Sequence, residues 1–350
     1  MMALLEDRHS PLFNRVTHRL SLRHFSFRTL DEMWTAHGVH APAHRLFLWS
    51  LFEGVPKYYR DCFEEGVLRD RDDHRAFTLE NIFFKGASPL RNEAETWFLG
   101  EFRGRYESLL KIISTHNGCS HSDILAAYKA IGGEGSEKQV GGYIQTLVQK
   151  FQIIDKRSPI FSTKSDSRKN RYYVTDNFLS SWLGAIDRQI KAARVIPMDK
   201  AISACSTQLE KIEGFALEKM VRLMIEELSR LGLGPIHLTD QVRGYWNRSQ
   251  DSEREIEIDF IGLNENERRI FFGSCKRSPE RHLSDHKRFH GHVDRFLATR
   301  EGRAYADWSR KLLAFSPSFD QETRTRLESA GLEVFGLDRL FALLRESKLR

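Results

Sequence analysis

The chain has 350 residues, 40% of them hydrophobic and 29% charged, with a formal net charge of +6. That composition excludes a disordered chain, gives room for two or three domains, and contains no apolar run near the ~20 residues that span a bilayer. MMALLEDRHS lacks an apolar signal core and the four cysteines (Cys62, Cys119, Cys205, Cys275) form no C-x-x-C pair, so a reduced cytoplasmic protein is expected.

Residues 1 to about 100 read as mainly helical. The run HRLFLWSLFEGVPKYYRDCF breaks at Gly54-Val55-Pro56, where proline enforces a corner between two helices. From 103 to 176 the character changes. YESLLKIIS and HSDILAAYKAI are short amphipathic helices, and EKQVGGYIQTLVQKF is a third, with Val140, Ile144, Leu147, Val148 and Phe151 at helical spacing. Two β-prone runs around a polar loop follow, and Lys156 to Arg171 holds six Lys/Arg against one Asp. Three helices and a basic hairpin form the pattern of a winged helix-turn-helix.

The last stretch changes again. LEKIEGFALEKMVRLMIEELSRLG predicts a long helix with Phe215, Met220, Leu223, Met224 and Leu228 among its apolar positions and Gly232 just past its end. A strand near Gly244-Tyr245-Trp246, then EIEIDFIGL, RIFFGSCK, a polar helix from about Ser284 to Arg300, KLLAFS, another helix, LEVFGL and a final helix complete the chain. Strands alternating with helices predict an α/β layer fold.

Strand periodicity puts Glu255, Glu257 and Asp259 on one face, opposite Ile256, Ile258 and Phe260. Ser274 and Lys276 share a face of the next strand, and the NENE turn predicts antiparallel pairing that brings Asp259 near both. Carboxylates beside a lysine suit phosphodiester hydrolysis. A hard cation such as Mg²⁺ takes carboxylate and water oxygens, polarises the phosphate and helps generate hydroxide, while the lysine stabilises developing charge. A solvated strand face is the plainer reading of the same acids.

This arrangement resembles the PD-(D/E)XK nuclease superfamily, whose core runs α-β-β-β-α-β. By that resemblance Asp259 matches the metal-binding Asp, Lys276 the lysine and Glu218 in FALEKM the helical Glu. Ser274 stands where the third-strand acid belongs. A hydroxyl is a neutral, weak ligand, so the resemblance implies reduced metal affinity, with Glu257 or Glu280 as substitute acids. Active nuclease, disabled nuclease and non-nuclease all remain open at this point.

SPLFNRVTHRLSLRHFSFRTLDEM, LFLWSLFEGVPKYYRDCF and FFKGASPLRNEAETWFLGEFRGRYESLLKIIS resemble the later half of archaeal-type ATPases, a STAND-like AAA+ group. The run from YIQTLVQKFQIIDKRSPIF to LSSWLGAI is similar to their winged helix, and Glu257-Ile258-Asp259 to a strand of their C-terminal domain of unknown function. The chain departs at its front. It contains no Gly-Lys dipeptide, hence no P-loop, and ATP is not expected to bind this chain alone. Arg15 matches an arginine that could sense nucleotide in an intact assembly. The chain therefore reads as a truncated product, a fragment or a member that has shed its motor.

The expected architecture is multidomain, α and α/β. It comprises a helical AAA+ lid remnant (1–100), a winged helix-turn-helix with connecting helix (101–200) and a restriction-endonuclease-like α-β-β-β-α-β domain (201–350). The expected function is a DNA-associated module with a degenerate Mg²⁺-dependent phosphodiesterase site, or a non-catalytic regulatory or interaction module serving a partner ATPase half. If active, it would be a Mg²⁺-dependent DNA endonuclease. DNA, a partner ATPase or a second copy of the chain are the expected partners, with no membrane. Lys156, Lys164, Arg168, Lys169 and Arg171 are the candidate DNA contacts. The helix at 136–151 offers only Gln139, Gln145 and Gln149 for reading base edges. His282, His286 and His290 share a helix face with His292 beyond, a spacing that suits zinc but is read here as a solvated or phosphate-facing surface. Trp182 and Trp246 are expected in core or interdomain packing.

Overall fold

Apolar residues at helical spacing dominate the first part of the chain, and it folds as helices. The computed structural model describes residues 24–85, 89–98, 100, 102, 104–162, 169–247, 251 and 254–346. Arg15, Lys164 and Arg168 lie outside the described residues. Helices Phe27–Ala36, Pro42–Phe52 and Pro56–Glu64 come first. Ser26 caps the first by accepting from the Thr29 amide at 3.2 Å. Pro42 and Pro56 open the other two, where a missing N–H costs nothing. The expected corner falls between them. A Cβ on Gly54 would stand 2.7 Å from the Phe25 carbonyl oxygen, so the close approach requires glycine.

Helices Arg105–Thr115, His121–Ala130 and Glu137–Gln149 follow. Capping boxes built by Ser120 with Asp123 and by Ser136 with Gln139 start the second and third. Strands β1 (Cys119–Ser120), β2 (Ile154–Arg157) and β3 (Arg171–Val174) form an antiparallel sheet in the order β1-β3-β2. Asn177–Ser181 then runs through a π-helical turn, Trp182–Ile186, into Asp187–Ala192.

The axis of the molecule is the helix Met198–Arg230, 33 residues and about 50 Å long. It begins earlier than the apolar pattern predicts, so the expected boundary at 200/201 falls inside it. It ends as predicted, with Gly232 at φ 68° and the Leu233 amide bonded back to the Leu228 carbonyl. Phe215 and Leu223, expected on its apolar face, are instead 37% and 41% exposed, because that side borders cavities rather than core.

Strands β4 (Arg243–Trp246), β5 (Glu257–Asn264), β6 (Arg269–Cys275), β7 (Ser309–Ser316) and β8 (Leu332–Gly336) form the second sheet in sequential order. β4, β5 and β6 pair antiparallel; β6, β7 and β8 pair parallel. Helices Glu280–Ala298 and Gln321–Ser329 cross over between the parallel strands, and Leu337–Arg345 follows β8. One face of the sheet packs with Phe289, Val293 and Phe296 of the crossover helix. On the other, Phe260, Phe271, Phe315 and Phe335 join a core that runs unbroken through the long helix to the first helices.

Buried ion pairs tie the stretches together. Asp31 takes Arg45 at 2.6 Å and Arg345 at 2.6 Å, joining the first helices to the last. Burial pushes its carboxyl up, but the two guanidinium groups outweigh burial and hold it below the usual range. Glu213 of the long helix binds both Arg75 and, at 2.7 Å, Arg277 beyond β6.

Candidate functional site

Strand register builds the site. β5 and β6 pair from Phe260 opposite Gly273 to Asn264 opposite Arg269, and Asp259 stands just beyond that ladder, near the end of β6. Ile256, Ile258 and Phe260, expected on one face, divide between the two cores, because the pairing of β5 with β4 shifts register between Arg243 and Tyr245. Ser274 does not line the cavity that Asp259 borders. The Cys275 amide donates to Asp259 Oδ2 at 2.6 Å. Ser274, in the position expected for an acid, is 6% exposed. Lys276 follows at the strand end and pairs with Asp285 at 3.7 Å. Glu218 reaches over from the long helix and lines the same cavity as Asp259.

Electrostatics connects these groups. Burial, then the neighbouring Asp259 carboxylate, pushes Glu218 up to about 8, against the pull of Arg222 and Lys276. Asp259 is likewise raised by burial, with Glu257 adding and Lys276 and the Cys275 amide opposing. Two acids pushed toward the neutral form beside cations are what low-dielectric crowding produces, and such perturbed groups cluster at functional sites. Arg222 and Asp285 were missed by sequence reasoning. Arg222 had a signal, standing four residues after Glu218 on the same helix face. Asp285 had none, because its contact with Lys276 is purely tertiary.

The resemblance implies Mg²⁺, and the side chains do not fit it. One oxygen of Asp259 is taken by a backbone amide, Glu257 by an arginine, and Ser274 brings no charge. Glu280 sits on the crossover helix, bonded to Ser278 at 2.5 Å. Among the described residues no three His, Cys, Asp or Glu side chains gather closely enough to hold a metal ion. A hard divalent cation needs several oxygen ligands converging on one point.

The β2–β3 hairpin covers one flank of this site. Arg171 donates to Glu257 Oε1 at 2.7 Å, its guanidinium lying 4.7 Å from the centre of the Trp246 ring. The Trp246 indole N–H donates to the Lys169 carbonyl at 2.6 Å. Ahead of β3 the Ile160 amide bonds to Gly244 at the free edge of β4. Ile160 is buried in the core of the second sheet, and Phe161 stacks 5.0 Å from Tyr305. The Arg171 side chain, expected to face DNA, is thus engaged at the sheet edge, and Lys169 is tied there through its backbone carbonyl. Lys156 stays exposed on the wall of the cavity.

That cavity, of about 470 Å³, lies between β2, the long helix and β4. Glu218 and Asp259 border it, with Lys156, Arg157, Arg222 and Arg243 on its walls. Gln139 is spent on its helix cap, while Gln145 and Gln149 bond to one another at 3.3 Å. The histidine row is not the solvated surface expected. His282 is buried with Nε2 on the Phe315 carbonyl at 3.0 Å, and burial pushes it down to about 4. His292 is buried as well, holding the Glu257 amide at 3.1 Å, and His290 meets the Ala330 carbonyl. Trp182 and Trp246 are both buried, as expected.

Comparison with known proteins places these residues within a wider set. Residues 182–287 match the DUF234 family model, described as archaea bacterial proteins of unknown function. That range includes Glu218, Glu257, Asp259, Ser274 and Lys276. Over 280 residues the chain is 24% identical to the Uncharacterized protein MJECL04 of Methanocaldococcus jannaschii, covering 76% of this chain and 55% of that protein. The chain thus spans about half the length of the curated relative it matches. No solved structure matches. Among the described residues, no helix is long and apolar enough to cross a membrane.

Proposed function

We propose that this chain is a DNA-associated module of the archaeal-type ATPase lineage, with a helical lid remnant, a winged helix and a nuclease-like α/β domain whose phosphodiesterase site is degenerate. The observation that carries this reading is the Cys275 amide bonded to Asp259 Oδ2, which sets Asp259 beside the strand end that carries Ser274 and Lys276, with Glu218 on the same cavity. By the resemblance, Asp259, Glu218 and Lys276 take the nuclease positions, and the neutral Ser274 stands in place of the remaining acid. The element order from Met198 onward, helix, three antiparallel strands, helix and parallel strand, supports the same reading.

What the site's own side chains do follows from their charges. Lys276 and Arg222 favour an anion, and Glu218 and Asp259 hold protons more tightly than free carboxyls. Such a site binds a phosphodiester better than it hydrolyses one, because nothing gathers a cation or generates hydroxide. ATP turnover is not part of this reading, and the chain would work beside an ATPase half or a second copy of itself.

The test is DNA nicking by purified protein with Mg²⁺ or Mn²⁺. The degenerate reading expects no cleavage by the natural chain and measurable metal-dependent cleavage after Ser274→Glu, lost again when Asp259→Ala is added. Robust cleavage by the natural chain, abolished by Asp259→Ala and by Lys276→Ala, would overturn it in favour of an active endonuclease. A second reading, a non-catalytic interaction module, is favoured by the Arg171–Glu257 pair, which keeps an acid of the site engaged. Absence of both cleavage and salt-sensitive DNA binding would select it.

A further inference from the structure

A second, wider cavity of about 950 Å³ opens along the same long helix, nearer its N-terminal end. It lies between that helix, helix Arg105–Thr115 and the segment Trp182–Ala192. Its walls carry Lys111, Arg188, Lys191, Lys211 and Arg281, with His116, against the single carboxylate Asp187. Asp187 is already neutralised by Lys191 at 2.7 Å and Lys111 at 3.1 Å. Arg188, Lys211 and Arg281 are exposed and have no ion-pair partner among the described residues. They come from three separate elements, so the folded chain, not a local charge run, brings them together. Like charges gathered without partners repel one another, and the arrangement is relieved by a polyanion.

Two further observations give the polyanion a shape. Ile212 and Phe215 line both cavities, so the basic groove continues along the long helix into the pocket of Glu218 and Asp259. Phe215 is an exposed aromatic at that junction. Gln208 Oε1 in the groove and Asn117 Oδ1 in the adjoining pocket are buried acceptors with no hydrogen-bond partner among the described residues. Cations for a backbone, an aromatic face for a base and amide oxygens for exocyclic amino groups are the features by which proteins hold single strands.

Building on the DNA-associated reading above, we infer that this groove is the nucleic-acid surface and that it feeds a single DNA strand, past Phe215, into the Glu218–Asp259 pocket. Duplex contact through the hairpin is not required. Arg188, Lys211 and Arg281 each neutralise a phosphate, and Phe215 stacks one base where the two cavities join.

The experiment is fluorescence anisotropy with a labelled single-stranded oligonucleotide and its duplex, across a salt series, on the full chain. Wild type is expected to bind the single strand more tightly than the duplex. The triple variant Arg188→Glu, Lys211→Glu, Arg281→Glu should lose at least about tenfold in affinity, and its salt slope should fall by about 2, since each single-strand phosphate contact contributes about 0.7. Lys138→Glu, exposed on helix Glu137–Gln149 and lining neither cavity, should bind as wild type does. All three groove residues are exposed, so circular dichroism of the triple variant should match wild type. Binding lost with Lys138→Glu but kept by the triple variant would overturn the groove while leaving a DNA-associated module intact. Duplex preference would overturn the single-strand assignment. No salt-dependent binding by wild type would overturn the underlying reading as well.

Discussion

Replacing Glu218 with glutamine removes a titration that the folded chain shifts strongly. The carboxyl would ionise near 4.5 when solvated and is raised to about 8 in the fold, chiefly by burial and by Asp259. The folded state therefore binds the proton more tightly than the unfolded chain. Its contribution is fully present below pH 4.5 and is lost as pH climbs through 8. A shift of that size corresponds to at most about 5 kcal/mol at 1.36 kcal/mol per unit. Glu218 is only partly buried at a cavity wall and its titration is coupled to that of Asp259, so a change of about 1–3 kcal/mol is the expected outcome. Glu218→Gln keeps the shape and cannot ionise. Urea unfolding of both proteins, followed by tryptophan fluorescence from pH 5 to 9, measures the difference. The variant should gain on wild type steadily as pH rises. Other shifted groups, such as His282 and His44, tilt both proteins alike and cancel. A difference that stays flat across this range, or grows in favour of wild type, would refute the electrostatic account of the site.

Asp31→Asn removes a buried charge from between Arg45 and Arg345, leaving Arg45 enclosed without its counter-ion; a loss of about 3–5 kcal/mol is expected by urea unfolding, since breaking a buried pair strands its partner. Gly273→Ala places a Cβ 2.0 Å from the Phe260 ring, a buried aromatic that lies across the strand pair. Overpacking of this kind should cost about 1–3 kcal/mol and broaden the Phe260 ring signals in NMR spectra. His282 should stay neutral down to about pH 4 in an imidazole NMR titration, with stability falling as pH drops from 6.5 through 4 because the unfolded chain takes up the proton first. Zinc added to the protein should leave that titration unchanged, because the ring nitrogen bonds to the Phe315 carbonyl.

Much of the frame was legible in the sequence because it rests on local periodicity. The NENE turn marked the antiparallel pairing of β5 with β6, whereas alternation in EIEIDF failed at Phe260, which joins the other core from Ile256 and Ile258 where the pairing with β4 shifts register. Gly54 and Pro56 marked a helix corner through backbone geometry alone, and Gly232 marked a helix end. Apolar spacing misjudged Phe215 and Leu223, since periodicity names the greasy side of a helix but not whether a neighbour covers it.

Tertiary structure decided where the charges went. The basic run from Lys156 to Arg171 looked like a free surface, yet Arg171 is drawn to Glu257 and Trp246, partners 86 and 75 positions away. The histidine row looked solvated, yet packing against β5 and β7 desolvates His282 and His292 and ties them to backbone groups. Arg188, Lys211 and Arg281 carried no signal at all, being scattered singly through ordinary helices. Sequence determines side-chain faces over a few residues, because dihedral periodicity is local. Which faces meet depends on how a 33-residue helix is flanked by elements from every part of the chain, and that is settled only when the chain closes on itself.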